Sequence, residues 1–86
     1  TYDEYFWLGD GTAQIDATAR NDRVGTFTTG DVLQIAIDLE NNNIFFGKNN
    51  TWQNSATAAE IAAGTSTNAF ASGSEVPTGD GHNYGF

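Results

Sequence analysis

The chain lacks cysteine and methionine and has little proline, histidine or positive charge. It has one Pro, one His and three basic residues against eleven acidic ones, which gives a formal net charge of −8. Without cysteine there are no disulfides, thiolate metal sites or cysteine nucleophiles. The negative charge repels phosphate backbones and anionic headgroups, so we expect neither nucleic acid nor membrane as a partner. No apolar run approaches the roughly 20 residues that span a bilayer.

The clearest structural pattern lies in residues 30–52, where two apolar runs flank an Asn-rich link. Strand side chains alternate sides, so four apolar residues of the first run share one face: Leu33, Ile35, Ile37 and Leu39. The second run, residues 44–46, is β-branched and aromatic, as strands prefer. Residues 40–43 supply turn chemistry. The segment therefore predicts an antiparallel hairpin with one buried face.

The rest of the chain predicts further short strands separated by glycine and asparagine turns. Residues 2–8 form an aromatic strand that ends in a glycine turn, residues 12–19 alternate weakly, and residues 82–86 form a final strand. Residues 58–63 have helix propensity, and Gly64 could cap a helix there. A helix this short is not stable without packing, so residues 55–67 predict a long loop with one helical turn. Five or six short strands of this kind predict an all-β fold, an antiparallel two-sheet β-sandwich in a single domain over residues 1–86.

The hairpin resembles the core motif of the SPRY (B30.2) domain, a β-sandwich recognition module. The sequence matches that motif at Gly30, Asp31, Val32, Ala36, Asp38, Leu39, Ile44, Phe46, Lys48, Asn49 and Trp52. It departs at Gln34 and Asn50, where the family usually has Gly; Asn is the next-best residue for a left-handed turn position. The resemblance implies a concanavalin-like jelly roll. Because SPRY modules are longer than this chain, we expect it to be an incomplete fragment of a longer polypeptide.

The same resemblance implies a non-enzymatic module that needs no cofactor and binds a protein partner or a surface glycan. SPRY domains bind through loops at one end of the sandwich, and the candidate loops here are residues 9–11 and 53–69. The Asn-rich hairpin and the Ala/Thr/Ser/Gly segment after Trp52 are most similar to modules of bacteriophage structural proteins. We therefore expect a virion or extracellular location, and a homo-oligomer within a larger assembly is one arrangement left open.

The aromatic residues have two interpretations. They make up 13% of the chain, and a small sandwich must use most of them in its core, where we expect Phe46 and Trp52. Aromatic residues that stay exposed can anchor a partner. Tyr2, Tyr5 and Trp7 are the candidates because they precede a glycine-rich loop, together with Asp10 within that loop.

Two alternatives use the acidic residues. A glycosidase on this type of sandwich carries three acids at alternate strand positions, and two carboxylates perform the hydrolysis. Asp38 and Glu40 fit two of the positions, but Ala36 occupies the first, so the nucleophile is absent and we predict that the chain is not an enzyme. A lectin-like module is the main alternative, with calcium bound by oxygen ligands from Asp10, Asp80 or the Asp38–Asn42 turn. None of these fits an EF-hand loop, and we assign no metal site.

Overall fold

The computed structural model describes residues 3–15, 18–76 and 82–85, which form two β-sheets and one short α-helix. The first sheet has the strand order β3-β2-β1-β8, and the second has the order β4-β5-β6, with β7 also paired to β5. The elements are β1 (Asp3–Trp7), β2 (Ala13–Ile15), β3 (Thr18–Ala19), β4 (Leu33–Asp38), β5 (Asn43–Lys48), β6 (Thr51–Trp52), α1 (Ala58–Ala63), β7 (Ala71–Ser72) and β8 (His82–Gly85). No helix in the described residues is long and apolar enough to cross a membrane.

The two sheets pack face to face, which confirms the predicted all-β sandwich. Trp7 of the first sheet stacks on Phe46 of the second, with ring centroids 5.7 Å apart. Phe46 in turn packs against Phe70, at 4.6 Å between centroids. The buried cluster between the sheets consists of Trp7, Ala13, Ile15, Ile44, Phe46, Phe70, Ala71 and Val76. Burial of these large apolar side chains is the main force that holds the sheets together.

One strand pair runs in the opposite sense to the prediction. β8 pairs with β1 in parallel, whereas every other pair among the described residues is antiparallel. A hairpin forces neighbouring strands to be antiparallel, but β8 returns to β1 after the rest of the chain. The direction of such a long-range pair is not encoded in any local pattern.

The hairpin of β4 and β5 forms in the predicted antiparallel arrangement. Six consecutive pairs run from Leu33 opposite Lys48 to Asp38 opposite Asn43. The turn between them contains Asn42 at φ 55°, a left-handed conformation that Asn tolerates. Asn43 is fully buried, and its side-chain amide donates to the carbonyl oxygen of Gly64 at 3.1 Å. The turn is thereby attached to the end of α1.

The predicted buried face of β4 is correct for only part of the strand. Leu33 and Ile35 are partly buried and pack against the core between the sheets. Ile37 and Leu39 are 42% and 68% exposed, so the prediction is wrong for these two. β4 is the end strand of the second sheet, and Leu39 lies beyond the strand in the turn.

Residues 53–69 cover the outer face of the second sheet. Helix α1 begins with a capping box between Thr57 and Glu60 and ends at Gly64, which has φ 76°. The six-residue helix replaces the single helical turn expected within a long loop, and Gly64 caps it as expected. The segment buries a second apolar cluster built from Phe45, Ala56 and Ala69, with Ala36, Trp52 and Ile61 partly buried around it. Trp52 is therefore half-buried in this outer cluster, whereas Phe46 lies in the main core as expected.

An ion-pair cluster missed by the sequence analysis joins distant parts of the chain. The Arg23 guanidinium donates to the carbonyl oxygen of Phe70 at 2.7 Å and to the Glu75 carboxylate at 3.1 Å. Arg20 reaches the same carboxylate at 3.4 Å. The Glu75 side chain also accepts from the backbone N–H of Ser72 at 3.3 Å. One acid thus holds two of the three basic residues and connects the first sheet to the segment around β7.

A candidate binding surface at one end of the sandwich

Two loops, residues 8–12 and 24–32, meet the β5–β6 turn with its flanking strand residues, 48–53, at one end of the sandwich. These three segments, called loops below, form the loop-end surface. Hydrogen bonds join each loop to the next: Phe27 N–H donates to Gly9 O at 2.9 Å, Lys48 Nζ to Thr26 O at 2.8 Å, and Gly25 N–H to Gln53 Oε1 at 2.9 Å. These bonds cross between segments far apart in sequence. They fix the loops relative to one another, as a preorganised binding surface requires.

The middle loop is closed by Asp31 of the SPRY-like motif. Its carboxylate accepts from the backbone N–H of Thr28 at 2.8 Å and from the Asn49 side chain at 2.9 Å. These two bonds, with the nearby positive charge of Lys48, lower the pKa of Asp31 below its ordinary value. Gly30 before it has φ 97°, a conformation that favours glycine. Asp31 and Gly30 therefore shape the loop, and the carboxylate is kept ionised in this role.

Asn49 extends the hairpin ladder into the loop. Its backbone N–H donates to the carbonyl oxygen of Val32 at 2.8 Å, and its side-chain oxygen accepts from the backbone N–H of Val32 at 2.9 Å. The side chain thus replaces the backbone carbonyl that a continuing strand would offer. Asn49 has φ 52°, so the chain turns sharply while the pairing with Val32 is preserved.

Gln34 and Asn50, where the hairpin differs from the motif it resembles, bond to each other. Asn50 N–H donates to Gln34 Oε1 at 2.8 Å, and Gln34 Nε2 donates to Asn50 Oδ1 at 3.3 Å. Asn50 adopts φ 67°, a left-handed conformation that favours Gly or Asn. Gln34 therefore adds a contact between β4 and the β5–β6 turn.

The first loop is a tight turn organised by Asp10. Its carboxylate accepts from the backbone N–H of Thr12 at 2.9 Å, and hydrogen bonds to the side chain and backbone of Thr12 lower the pKa of Asp10. Gly11 between them has φ 90°. Asp10 is exposed and belongs to the loop-end surface, and its contact with a partner stays a prediction.

The structure corrects the prediction that Trp7 faces a partner. Trp7 is fully buried, its indole Nε1 donates to the carbonyl oxygen of Gly25 at 2.7 Å, and its ring lies edge-on to Phe27 at 5.0 Å between centroids. Trp7 therefore contacts the middle loop from the core side. Tyr2 lies outside the described residues, as does the side chain of Tyr5.

The exposed part of the loop-end surface consists mainly of residues that the sequence analysis did not single out. Leu8 is 45% exposed and Val32 64% exposed, and the threonines at 26, 28 and 29 lie exposed between them. The run Gly25–Gly30 contains three threonines between two glycines, a composition typical of an exposed loop. Of the candidate segment 53–69, Gln53 reaches this end, whereas the apolar residues after it cover the second sheet.

Asp38 and Glu40, the two acids considered for a glycosidase site, lie at the hairpin turn. The Asp38 carboxylate accepts from the side chain of Asn41 at 2.8 Å and from its backbone N–H at 3.1 Å. Both bonds lower the pKa of Asp38, the side-chain bond most strongly. Glu40 lies exposed in the same turn. In the part of the chain that the structure describes, no group of three or more His, Asp or Glu residues could hold a metal ion.

Comparison with known proteins supplies no relative. No family model, no curated protein and no solved structure matches this chain. The interpretation of the loop-end surface therefore depends on its geometry and on the chemistry of its residues.

Proposed function

We propose that this chain is a non-enzymatic recognition module, a SPRY-like sandwich within a larger phage virion protein, and that it binds a protein partner through the loop-end surface. The observation that carries the proposal is the bracing of three loops on one another and on a buried Trp7. Such a surface loses little conformational entropy on binding. The Asn-rich hairpin and the small-residue segment after Trp52 support the virion context.

The exposed groups at this end favour a protein over a glycan. Leu8 and Val32 offer apolar contact among exposed threonine, asparagine and aspartate residues, and protein interfaces likewise combine apolar contacts with a polar rim. Lectins commonly stack aromatic rings on sugars, but the aromatic side chains that the structure describes are buried or half-buried. The carboxylates of Asp10 and Asp31 are already bonded within their loops.

A binding selection with charge-matched variants tests this proposal. The purified chain is presented with a random-peptide display library and, in parallel, with a glycan array with and without chelator. The variant Leu8→Lys/Thr29→Lys changes the loop-end surface, and Thr65→Lys/Thr67→Lys adds the same charge at exposed positions after α1. Selected peptides should bind the loop-end variant at least tenfold more weakly and the control variant as well as the wild type.

Three outcomes would overturn the proposal. Recovery of no specific peptide contradicts a protein partner, and equal weakening by both variants contradicts the location of the site. Glycan binding without peptide binding would indicate that the ligand is a sugar and not a protein. Loss of that glycan binding on addition of chelator would indicate that calcium takes part. Thermal melting of both variants confirms that any loss of binding is not caused by unfolding.

A further inference from the structure

The outer edge of β4 has backbone N–H and C=O groups that no described strand pairs with, and the hydrogen bonds of β4 to β5 show which residues these groups belong to. Along its other edge β4 pairs with β5, and no strand among the described residues pairs with the outer edge. The bond from Asn49 N–H to Val32 O shows that Val32 points its peptide groups toward β5. Because antiparallel ladders alternate, Gln34, Ala36 and Asp38 do the same, and Leu33, Ile35 and Ile37 direct their N–H and C=O groups outward.

Among the described residues, this edge has few of the features that usually prevent strand addition. Natural edge strands are protected by charged side chains, proline, bulges or a cover. Residues 32–39 contain no Lys, Arg, Pro or Gly, and the six consecutive pairs with β5 contain no bulge. Asp38 is the one charged residue in this stretch, and its carboxylate already accepts from Asn41. Two large apolar side chains, Ile37 and Leu39, are exposed beside it at 42% and 68%. The edge is therefore suited to receive another strand.

We propose that the outer edge of β4 pairs antiparallel with β4 of a second copy of this chain, about a twofold axis at Ala36. A twofold axis normal to the sheet places the same side chains of both copies on the same face. Because side chains alternate along a strand, odd-numbered residues must therefore pair with odd-numbered ones and even-numbered with even-numbered ones. In this register Ile35 lies opposite Ile37 of the second copy, and Leu33 opposite Leu39 of the second copy. The outward N–H and C=O groups are those that form the hydrogen-bonded pairs.

The side chains of β4 are complementary to themselves in this register. On the core face the row Leu33, Ile35, Ile37 and Leu39 meets the same row reversed, so the exposed Ile37 and Leu39 gain apolar neighbours. On the other face Asp38 lies opposite Gln34 of the second copy, whose amide can donate to a carboxylate. No two residues of like charge lie opposite each other in this register, so the pair avoids the destabilisation that such a contact would cause.

Neighbouring registers are poorer. If the second strand slips by one residue, backbone groups that point outward on one strand lie opposite groups that point toward β5 on the other. The same slip brings the apolar face of one copy beside the polar face of the other. A slip of two residues in one direction leaves Leu39 without an apolar partner and puts Val32 opposite Asp38. The same slip in the other direction puts Ala36 opposite Asp38 and shortens the ladder. The register centred on Ala36 is thus the one in which the apolar pattern and the hydrogen-bond phase agree.

Disulfide trapping tests the register directly, because the natural chain has no cysteine. Residues opposite each other in a non-hydrogen-bonded pair have Cα atoms about 4.5 Å apart, within disulfide range. Ala36→Cys should therefore oxidise to a covalent dimer, and the control Thr67→Cys, exposed outside β4, should stay largely monomeric under the same conditions. Equal crosslinking of the two variants, or none for Ala36→Cys, would overturn the proposal.

Amide exchange on the unmodified chain provides an independent readout. Raising the protein concentration should slow exchange at the outward amides of residues 33, 35 and 37 by at least tenfold. The amides of residues 34, 36 and 38, already directed toward β5, should change far less. Exchange that is independent of concentration at all six positions, or that slows equally at all six, contradicts edge pairing whatever the loop-end surface binds.

The variant Ile37→Lys should abolish the concentration dependence by placing a charge at the edge, whereas the charge-matched Thr67→Lys should preserve it. Because each copy carries a formal charge of −8, added salt should strengthen the pairing of the wild type by screening repulsion. An Ile37→Lys variant that still associates like the wild type contradicts the proposed interface.

Discussion

Gln34 and Asn50 hold each other across the end of the hairpin. Gln34 Oε1 accepts from the backbone N–H of Asn50 at 2.8 Å, and Gln34 Nε2 donates to Asn50 Oδ1 at 3.3 Å. In the motif that the hairpin resembles, both positions are usually glycine. Both bonds need the Gln34 side chain and one needs the Asn50 side chain, so the two residues form one structural feature.

Because of this bonding, substitution of Gln34 should destabilise the fold more than substitution of Asn50. Gln34→Ala removes both hydrogen bonds and should destabilise the fold by about 1 kcal/mol or slightly more. Asn50→Gly removes the longer bond but suits the left-handed conformation, so the change should be within about 0.5 kcal/mol. Urea unfolding of both variants and of the double variant measures the difference. Equal losses for the two single variants would contradict the bonding described here.

Gly47 should tolerate no side chain. A Cβ at this position would lie 2.9 Å from Cε3 and 3.1 Å from Cζ3 of Trp52, so the indole would have to move. We expect Gly47→Ala to destabilise the protein by about 1–3 kcal/mol, as overpacking usually does. The matched variant Gly25→Ala meets a flexible Gln53 side-chain oxygen at 3.3 Å and should cost less. A larger loss of stability for Gly25→Ala than for Gly47→Ala would contradict the close packing of Trp52 on Gly47.

Glu75 should matter more than an ordinary surface acid. Its side chain is 26% exposed, and its carboxylate pairs with Arg20 and Arg23. Glu75→Gln should destabilise the fold by about 1–2 kcal/mol at low salt and by less at high salt, since screening weakens the lost attraction. Arg23→Ala should cost more than Arg20→Ala because Arg23 also donates to Phe70 O. A loss from Glu75→Gln that does not depend on salt would argue against an electrostatic role.

The ionised state of Asp31 should make stability depend on pH. Its pKa is lowered in the folded chain, chiefly by the Asn49 side chain. The group therefore contributes stability above its unfolded pKa, and that contribution is lost as pH falls through the folded pKa. Thermal melting between about pH 6 and pH 2 should show a smaller acid-induced decrease for Asp31→Asn than for the wild type. Asp22→Asn, which removes an exposed carboxylate outside this loop, is the control, and an unchanged pH profile for Asp31→Asn contradicts the assignment.

Trp7 should act as a structural support for the middle loop. Trp7→Phe retains an aromatic ring in the core but removes the bond from the indole to Gly25 O, and we expect a loss of about 1–2 kcal/mol. Trp7→Ala should cost about 3–5 kcal/mol because it leaves a large cavity. Chemical denaturation measures both variants. A nearly neutral Trp7→Ala would show that the residue lies at the surface after all.

The local features of this fold could be predicted from the sequence because they depend on near neighbours. Alternation and turn residues indicated the β4–β5 hairpin, and alanine content with Gly64 indicated α1. The exposure of Ile37 could not be predicted because it depends on which strand ends the sheet. The parallel pairing of β8 with β1 also has no local signal, because the two strands are far apart in the sequence.

The candidate site was predictable to a smaller extent. The position of Asp10 in an exposed turn followed from its glycine neighbours. Trp7 was misplaced because an aromatic residue beside a glycine loop can face either solvent or core, and its burial against Phe46 and Phe27 is set by contacts distant in sequence. The bracing of the middle loop by Asn49 depends on a side chain that substitutes for a backbone carbonyl, which no periodic pattern reveals.

Backbone amide chemical shifts that map a selected peptide ligand onto the chain, at concentrations too low for self-association, locate the binding surface most directly. The largest shifts should fall in residues 8–12, 24–32 and 48–53, and the amides of β4 beyond the loop should change little. Shifts concentrated on α1 or along the outer edge of β4, with none at the loop-end surface, would contradict this location.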